Sequence, residues 1–413
     1  MPETSLPPER VPAPREVYLD YAAATPMCPE ALEAMLPFLS ERFENPSAPY
    51  ARARAARTAL EEARATLAHL IGARPGNIVL TAGATEANNL AFAAVDGPAL
   101  VDAIEHESVL ACAEAHGCTV VGVGADGRVD PRALARQLTP ETELVSIELA
   151  NGEIGTFQPV REIASVVAAE RERRLREGSK VPLYLHTDAS QAVFACGVNV
   201  SSLKADLVTL SAAKVYGPKQ VGLLWAADGI ALRPLVRGGG QESGVRSGTE
   251  NVAGAVAFAR ALEIAVGRRA QDAKMLARLR DDLQRALSQA FPWMLVSGPK
   301  KAANRVPGLL SVSFPGLEAR RLVVLLERRG VSVGTGSACA ASRMRVSHVL
   351  RAIGLSDEAA AGSLRITLGR PTTQEDVAYA AWALADAVRE ECARVGVDAR
   401  TGERSWASGS FWA

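Results

Sequence analysis

Two stretches of sequence decide the fold: LYLHTDASQ at residues 183–191 and LVTLSAAK at residues 207–214. Each begins as a short apolar run of strand-forming residues and ends in polar or small residues. Five more short apolar runs complete the pattern, at residues 78–80, 99–101, 119–121, 144–147 and 222–225. Helical patterns separate these runs, and such alternation predicts a mostly parallel sheet covered by helices. The sequence therefore predicts a seven-stranded α/β domain.

The pattern changes near residue 270, where a long amphipathic helix is predicted. Short strands follow around residues 309–314, 331–333 and 364–368, and a closing helix runs from about residue 376 to 395. This succession predicts a smaller α+β domain. We expect four regions along the chain: a flexible leader at 1–16, a large domain at 17–268, a small C-terminal domain at 269–400 and a tail at 401–413.

Composition argues against several classes of protein. Lys+Arg and Asp+Glu both number 46, so there is no general basic surface for nucleic acid or anionic lipid. Residues 1–10 carry prolines and acids where a signal peptide needs a basic start and an apolar core, and no uncharged apolar run is long enough to span a membrane. The six cysteines show neither CxxC spacing nor a Cys/His cluster. We expect a soluble cytoplasmic protein without a metal site.

The polar residues after the two deciding stretches indicate a cofactor. Asp188 follows the first strand and Lys214 follows the second. This arrangement suits pyridoxal phosphate (PLP): the lysine amine forms a Schiff base with its aldehyde, and the carboxylate keeps its pyridine nitrogen protonated so that the ring accepts electrons. Lys219 is the competing lysine, but it follows the turn Gly217-Pro218, where we expect it to be exposed.

Three residues are candidates for binding the cofactor phosphate. Ala84 and Thr85 lie in a Gly-Ala-Thr-Glu turn that follows a strand and opens a helix. Free backbone N–H groups at such a helix end attract phosphate, and the Thr85 hydroxyl can add a bond. An ordinary helix N-cap is the alternative explanation of the turn. Ser211, three residues before Lys214, can also donate to phosphate.

Two further residues are candidates for contact with the cofactor ring. His106 follows another predicted strand, where an imidazole can stack on a flat ring and move protons near neutral pH. A structural histidine is the alternative. Gln191 lies one helical turn after Asp188, within reach of a ring oxygen.

Cys339 and Arg365 are candidates for acting on a substrate. Cys339 lies in GTGSACAAS at residues 334–342, and such a stretch of small residues suits an exposed nucleophile better than a buried cysteine. Arg365 alternates with apolar residues on a predicted strand, so its guanidinium can grip the carboxylate of an amino acid. A strand-edge ion pair is the alternative for Arg365.

Taken together, these segments resemble the cysteine desulfurases, in the class V aminotransferase branch of the fold-type I PLP enzymes. The resemblance covers nearly the whole chain, from YLDYAAATP at residues 18–26 to LGR at residues 368–370. The intervening motifs are ENPS at 44–47, GATE at 83–86, NGEIG at 151–155, GGGQE at 238–242, RSGT at 246–249 and GSAC at 336–339.

The resemblance implies a fold-type I PLP-transferase, with the cofactor in the large domain and the cysteine loop in the small one. It implies a homodimer in which Thr249 reaches the phosphate of the neighbouring subunit's cofactor. The substrate would be L-cysteine, with its carboxylate held by Arg365 and Asn45. After the substrate displaces Lys214, the freed amine would take the Cα proton, while His106 stacks on the ring and shuttles protons.

The reaction that this resemblance implies ends in a persulfide. The thiolate of Cys339 would attack the substrate sulfur and L-alanine would be released. A protein acceptor, such as a scaffold or sulfur carrier, would then take the sulfur for iron–sulfur cluster assembly or for thiolation.

Two positions depart from the family pattern. Ala213 stands where the family usually has a histidine before the lysine, and Gly152 stands where it usually has a second asparagine. Each lost hydrogen bond to a charged group is worth about 1.5–3 kcal/mol, which weakens cofactor binding or slows turnover without abolishing it. A selenocysteine lyase or another class V PLP lyase is the alternative enzyme, and a degenerate scaffold that no longer catalyses is the alternative outside enzymes.

Overall fold

The computed structural model describes residues 13–336 and 346–404. These residues form two compact units. The larger unit contains Ala24–Gly152 and Thr156–Gln271. The smaller unit contains the described residues before Ala24, the three-residue segment Glu153–Gly155, and the described residues from Asp272 onward. In the part of the chain that is described, no helix is both long and apolar enough to cross a membrane.

The strands of the described residues are, in chain order, β1 Val17–Leu19, β2 Ile78–Thr81, β3 Ala99–Asp102, β4 Cys118–Val121, β5 Leu144–Ser146, β6 Tyr184–Asp188, β7 Leu207–Ser211, β8 Gly222–Ala226, β9 Leu295–Ser297, β10 Leu309–Ser313, β11 Val331–Val333 and β12 Ser363–Thr367. The helices are α1 Pro29–Met35, α2 Pro37–Ser40, α3 Ala51–Leu70, α4 Ala84–Phe92, α5 Glu107–His116, α6 Pro131–Gln137, α7 Val160–Arg176, α8 Val200–Leu203, α9 Val252–Ala290, α10 Ala319–Glu327, α11 His348–Ala352, α12 Asp357–Ala361 and α13 Gln374–Val395.

The larger unit is built on a seven-stranded sheet in the order β2-β8-β7-β6-β5-β3-β4. Strand β8 runs antiparallel to both of its neighbours, and the other pairs are parallel. Every residue of β3, β5, β7 and β8 is buried, as expected for strands covered by helices on both faces. The predicted seven-stranded, mostly parallel α/β architecture is confirmed.

This topology brings several strand ends to one edge of the sheet. Strands β3, β5, β6 and β7 are mutually parallel, so their carboxyl ends lie together. Asp188 ends β6 and Ser211 ends the adjacent β7, with Asp188 in register with Thr209. Functional residues of open α/β sheets concentrate at this edge.

The smaller unit contains an antiparallel sheet in the order β12-β10-β9 and a parallel pair, β1 with β11. Its core includes Leu283, Leu287, Phe314, Leu322 and Leu384, all fully buried. Since β1 and β11 are far apart in sequence, a local pattern could not predict their pairing.

Helix α9 differs from the sequence expectation. The predicted helix begins near residue 270, whereas α9 begins at Val252. Phe258, Leu262 and Ala265 are buried and continue the helical spacing, so the apolar face extends further toward the amino end.

Candidate active site

Asp188 lies at the carboxyl edge of the large sheet. Its Oδ1 accepts a hydrogen bond from the backbone N–H of Ser190 at 2.9 Å, and its Oδ2 accepts one from Nδ2 of Asn88 at 2.9 Å. Asn88 is a fully buried residue of α4. These two donors orient the carboxylate, and each oxygen retains acceptor capacity for a ligand.

The same asparagine is connected to His106 through the hydroxyl of Ser108. Nδ2 of Asn88 also donates to Oγ of Ser108 at 2.9 Å, and this hydroxyl lies 2.8 Å from Nδ1 of His106. The backbone N–H of Ser108 donates to that Nδ1 at 3.1 Å, because His106 caps the amino end of α5. A hydrogen-bonded chain therefore joins Asp188 to His106. The sequence pattern does not single out Asn88 or Ser108, because two adjacent asparagines, Asn88 and Asn89, lie in α4 and only the structure shows which is buried.

His186, two residues before Asp188 on β6, is buried between two hydroxyl groups. Its Nδ1 lies 2.8 Å from Oγ of Ser146, and its Nε2 lies 3.0 Å from Oγ1 of Thr209. Burial lowers the pKa of His186 to about 4, although the charge of Asp188 acts in the opposite direction. The imidazole is therefore neutral near pH 7.

Three buried acids lie in the larger unit. Asp102 and Glu105 are fully buried and Glu148 is nearly so. Burial raises the pKa of Asp102 to about 7, and burial together with the charge of Asp102 raises the pKa of Glu105 well above its ordinary value. These two acids therefore hold protons at pH values where exposed acids are ionised.

Lys214 lies in a short 3₁₀ helix that directly follows β7, and Thr25 fixes this turn. Oγ1 of Thr25 donates to the carbonyl oxygen of Ala213 at 2.9 Å and accepts from the backbone N–H of Tyr216 at 2.8 Å. Tyr216 has φ 65°, a left-handed conformation that is costly for a bulky residue. The hydroxyl of Thr25 thus holds both sides of Lys214, which is half-buried, whereas Lys219 is exposed.

The amino end of α4 is open to a ligand. Gly83 precedes the helix with φ 126°, a conformation that glycine tolerates. A Cβ at Gly222 of β8 would lie 2.7 Å from the backbone of Gly83, so the turn packs tightly on the strand. The N-cap glycine makes no side-chain hydrogen bond to the helix, and Oε2 of Glu86 accepts from the backbone N–H of Ala82 just before it at 2.6 Å. Ala84 and Thr85, the latter exposed, begin a helix whose positive end suits a phosphate.

Gln191 and Gly152 share a space near Asp188. A Cβ at Gly152 would lie 3.0–3.1 Å from atoms of the Gln191 side chain. The asparagine usual in the family would therefore require Gln191 to shift. The glycine therefore leaves room beside the Gln191 side chain.

Asn45 and Thr249 are both exposed and lie on two loops that are bonded to each other. Oγ of Ser47 lies 3.5 Å from Oε2 of Glu250, and Arg57 donates to Oε1 of Glu250 at 3.0 Å. Oδ1 of Asn45 accepts from the backbone N–H of Ser47 at 2.9 Å. The structure thus brings the segments of these two predicted site residues together.

In the smaller unit, Arg365 of β12 pairs with Asp20. Nη2 of Arg365 lies 2.7 Å from Oδ1 of Asp20, and only 7% of the arginine side chain is exposed. A Cβ at Gly334 would lie 2.9 Å from that Asp20 oxygen and 3.1 Å from the Arg365 nitrogen, so the glycine leaves space for the pair. The ion pair expected as the alternative is present.

Cys339, the predicted nucleophile, lies outside the described residues. The described cysteines are all free thiols: Cys28, Cys112, Cys118, Cys196 and Cys392. Burial raises the pKa of Cys196 and of Cys392 to about 11, and it raises the pKa of Cys112 as well. These three are therefore poor sources of thiolate near neutral pH.

The larger unit provides side chains and a helix end that fit PLP. Asp188 offers acceptor capacity for a ring nitrogen, Lys214 offers an amine in the 3₁₀ helix that follows the adjacent strand β7, and the amino end of α4 offers backbone N–H groups for the phosphate. Among the described residues, no group of three or more His, Cys, Asp or Glu side chains could hold a metal ion. The fold and these residues define the class of fold-type I PLP enzymes.

The chain belongs to the class V aminotransferase family, which matches residues 17–379. It is 40% identical to cysteine desulfurase IscS of Dictyoglomus turgidum, over 88% of this chain and 92% of that protein. A solved NifS-like protein has a TM-score of 0.82 at 31% identity, covering 91% of this chain and 100% of that one. SspA in complex with cysteine has a TM-score of 0.72 at 32% identity, covering 85% and 98%. The resemblance to cysteine desulfurases is confirmed.

Proposed function

We propose that this protein is a PLP-dependent cysteine desulfurase, which converts L-cysteine to L-alanine and retains the sulfur as a persulfide. The observation that carries the proposal is the adjacency of β6 and β7. Their register brings the end of the Asp188 strand beside the strand that leads into Lys214. The similarity to IscS over most of both chains supports the same reaction.

Five groups of residues would hold the cofactor. Lys214 would bind it covalently, and Asp188 would hold the ring nitrogen. The start of α4, with Ala84 and Thr85, would hold the phosphate, helped by Ser211. Gln191 would contact a ring oxygen and His106 would lie over the ring. Bound PLP supplies an electron-accepting ring that stabilises negative charge at the substrate Cα.

The chain's own residues would carry the remaining steps. Arg365 and Asn45 would bind the substrate carboxylate, and the Lys214 amine would accept the Cα proton. Cys339 would attack the substrate sulfur: the new S–S bond forms as the substrate C–S bond breaks, and the bonding electron pair remains with the substrate carbon. Raised pKa values make Cys112, Cys196 and Cys392 weak rivals, which supports Cys339.

The proposal extends to assembly and sulfur transfer. The exposure of Thr249 supports a homodimer in which it reaches the phosphate of the neighbouring subunit's cofactor. A protein acceptor would remove the persulfide sulfur for iron–sulfur cluster assembly or thiolation. A cytoplasmic location stays a prediction.

The first test uses Lys214→Ala with Lys219→Ala as the matched control. The visible spectrum of the PLP-loaded protein is recorded before and after adding L-cysteine, and alanine and persulfide are assayed in the same tube. We expect the control to bind PLP covalently and yield both products, and Lys214→Ala to do neither. Covalent PLP without products from cysteine would contradict the desulfurase, and products from selenocysteine alone would indicate the lyase.

The second test identifies the nucleophile. Cys339→Ala should retain the bound cofactor's colour but form no persulfide, because the attacking sulfur is missing. Cys118→Ala, at an exposed cysteine of the described chain, is the control and should behave as the unmodified protein. Normal sulfur transfer by Cys339→Ala would show that another residue carries the sulfur.

A further inference from the structure

Hydrogen-bond directions around Asn88 can be assigned from Asp188 outward. A carboxylate oxygen accepts from its neighbour, so the Asn88 atom 2.9 Å from Oδ2 must be the NH₂ group, as placed. A reversed amide would set two oxygens against each other. The second hydrogen of that NH₂ group then goes to Oγ of Ser108 at 2.9 Å. Since Asn88 is fully buried, water does not compete for these positions.

The same assignment of donors and acceptors extends to His106. Oγ of Ser108 accepts from Asn88, which leaves its own hydrogen for Nδ1 of His106 at 2.8 Å. The backbone N–H of Ser108 points at the same Nδ1, at 3.1 Å, and a backbone N–H can only donate. Two donors therefore converge on Nδ1, which must act as an acceptor and carry no hydrogen.

We propose that Asn88 and Ser108 are positioning residues that hold His106 as a neutral ring with its hydrogen on Nε2. This inference rests on the proposed function. The resemblance implies that His106 both stacks on the ring and shuttles protons, whereas the inference keeps the stacking and limits the proton transfer. With hydrogen on Nε2 and two donors at Nδ1, His106 would lie over the ring of the bound cofactor and would donate, rather than accept, a hydrogen bond at Nε2. It would not accept a proton at Nε2, so His106 would not share removal of the Cα proton with the Lys214 amine.

The experiment is ¹⁵N NMR of the PLP-loaded protein labelled at histidine, with His106→Gln used to assign the His106 signals among the five histidines. We expect Nδ1 of His106 to give the signal of a nitrogen without hydrogen and Nε2 that of an N–H. Ser108→Ala removes one donor, so the population with hydrogen on Nδ1 should increase. Ser108→Thr keeps the hydroxyl and should restore the original signals.

Kinetics provide the second readout. Ser108→Ala should lower kcat on the order of fivefold, as expected for one lost hydrogen bond, with KM for L-cysteine nearly unchanged. Ser108→Thr should recover most of kcat. Asn89→Ala is the control on the same helix, since its side chain donates to the carbonyl oxygen of Thr85 instead.

Two results would overturn the inference: hydrogen on Nδ1 in the unmodified protein, or Ser108→Ala leaving both the NMR signals and kcat unchanged. The NMR signals do not depend on turnover. Expected signals in a protein that releases no alanine from cysteine would therefore reject the proposed function while leaving the hydrogen-bond assignment intact.

Discussion

At the scale of single residues, the lysine turn depends on a threonine nearly two hundred positions away. Oγ1 of Thr25 both donates to Ala213 and accepts from Tyr216, so this side chain links the two sides of Lys214. The left-handed φ of Tyr216 makes the turn costly without such bonds. Thr25 therefore positions Lys214 without having to react.

Thr25→Val keeps the shape of the side chain and removes the hydroxyl. We expect a loss of about 1–3 kcal/mol in the free energy of unfolding, because the backbone N–H of Tyr216 and the carbonyl oxygen of Ala213 would both lose the Thr25 hydroxyl in a buried turn. PLP affinity should fall as well. Urea unfolding and PLP titration measure the two effects, and Thr58→Val, at an exposed hydroxyl, is the control. Unchanged unfolding and affinity would refute this role.

At the scale of elements, the site depends on how closely α4 approaches the sheet. The turn before α4 lies against β8 because Gly222 has no side chain. The carboxyl ends of β6 and β7 then present Asp188 and Ser211 at the edge of the same sheet. The open helix end is thus placed by packing between backbones.

Gly222→Ala tests this packing. A Cβ 2.7 Å from the backbone of Gly83 cannot be relieved by a side-chain rotation, so the turn must move. We expect a destabilisation of about 1–3 kcal/mol and weaker PLP binding. Gly76→Ala is the matched control, since its Cβ would have nothing within 4 Å. Equal unfolding midpoints for the two variants would contradict the close approach.

At the scale of the whole molecule, buried acids link stability to pH. Burial raises the folded-state pKa of Asp102 to about 7, from an ordinary value of about 3.9. Between these values the folded protein binds a proton that the unfolded chain has lost. Stability from this group is therefore full at low pH and decreases as pH rises from about 4 to about 7.

Asp102→Asn should remove this dependence, because the amide stays neutral and can still accept from the backbone N–H of Ile104. Compared with the unmodified protein, the variant should gain stability, on the order of a few kcal/mol, as pH rises from about 4 to about 8. Urea unfolding at several pH values measures the gain, with the exposed Asp126→Asn as control. A stability difference that does not change with pH would show that folding does not raise the pKa of Asp102.

The sequence determined the strands of the large sheet, the positions of Asp188 and Lys214, and the family, because these depend on local apolar runs and on ordered motifs. It did not determine the pairing of β1 with β11, the assignment of Glu153–Gly155 to the smaller unit, or the hydrogen-bond partners of His106. Those features join residues distant in the chain, and local periodicity contains no information about which distant group will lie opposite. Only the tertiary structure places Asn88 between Asp188 and Ser108, and that placement decides the direction of the hydrogen bond between the Ser108 hydroxyl and His106.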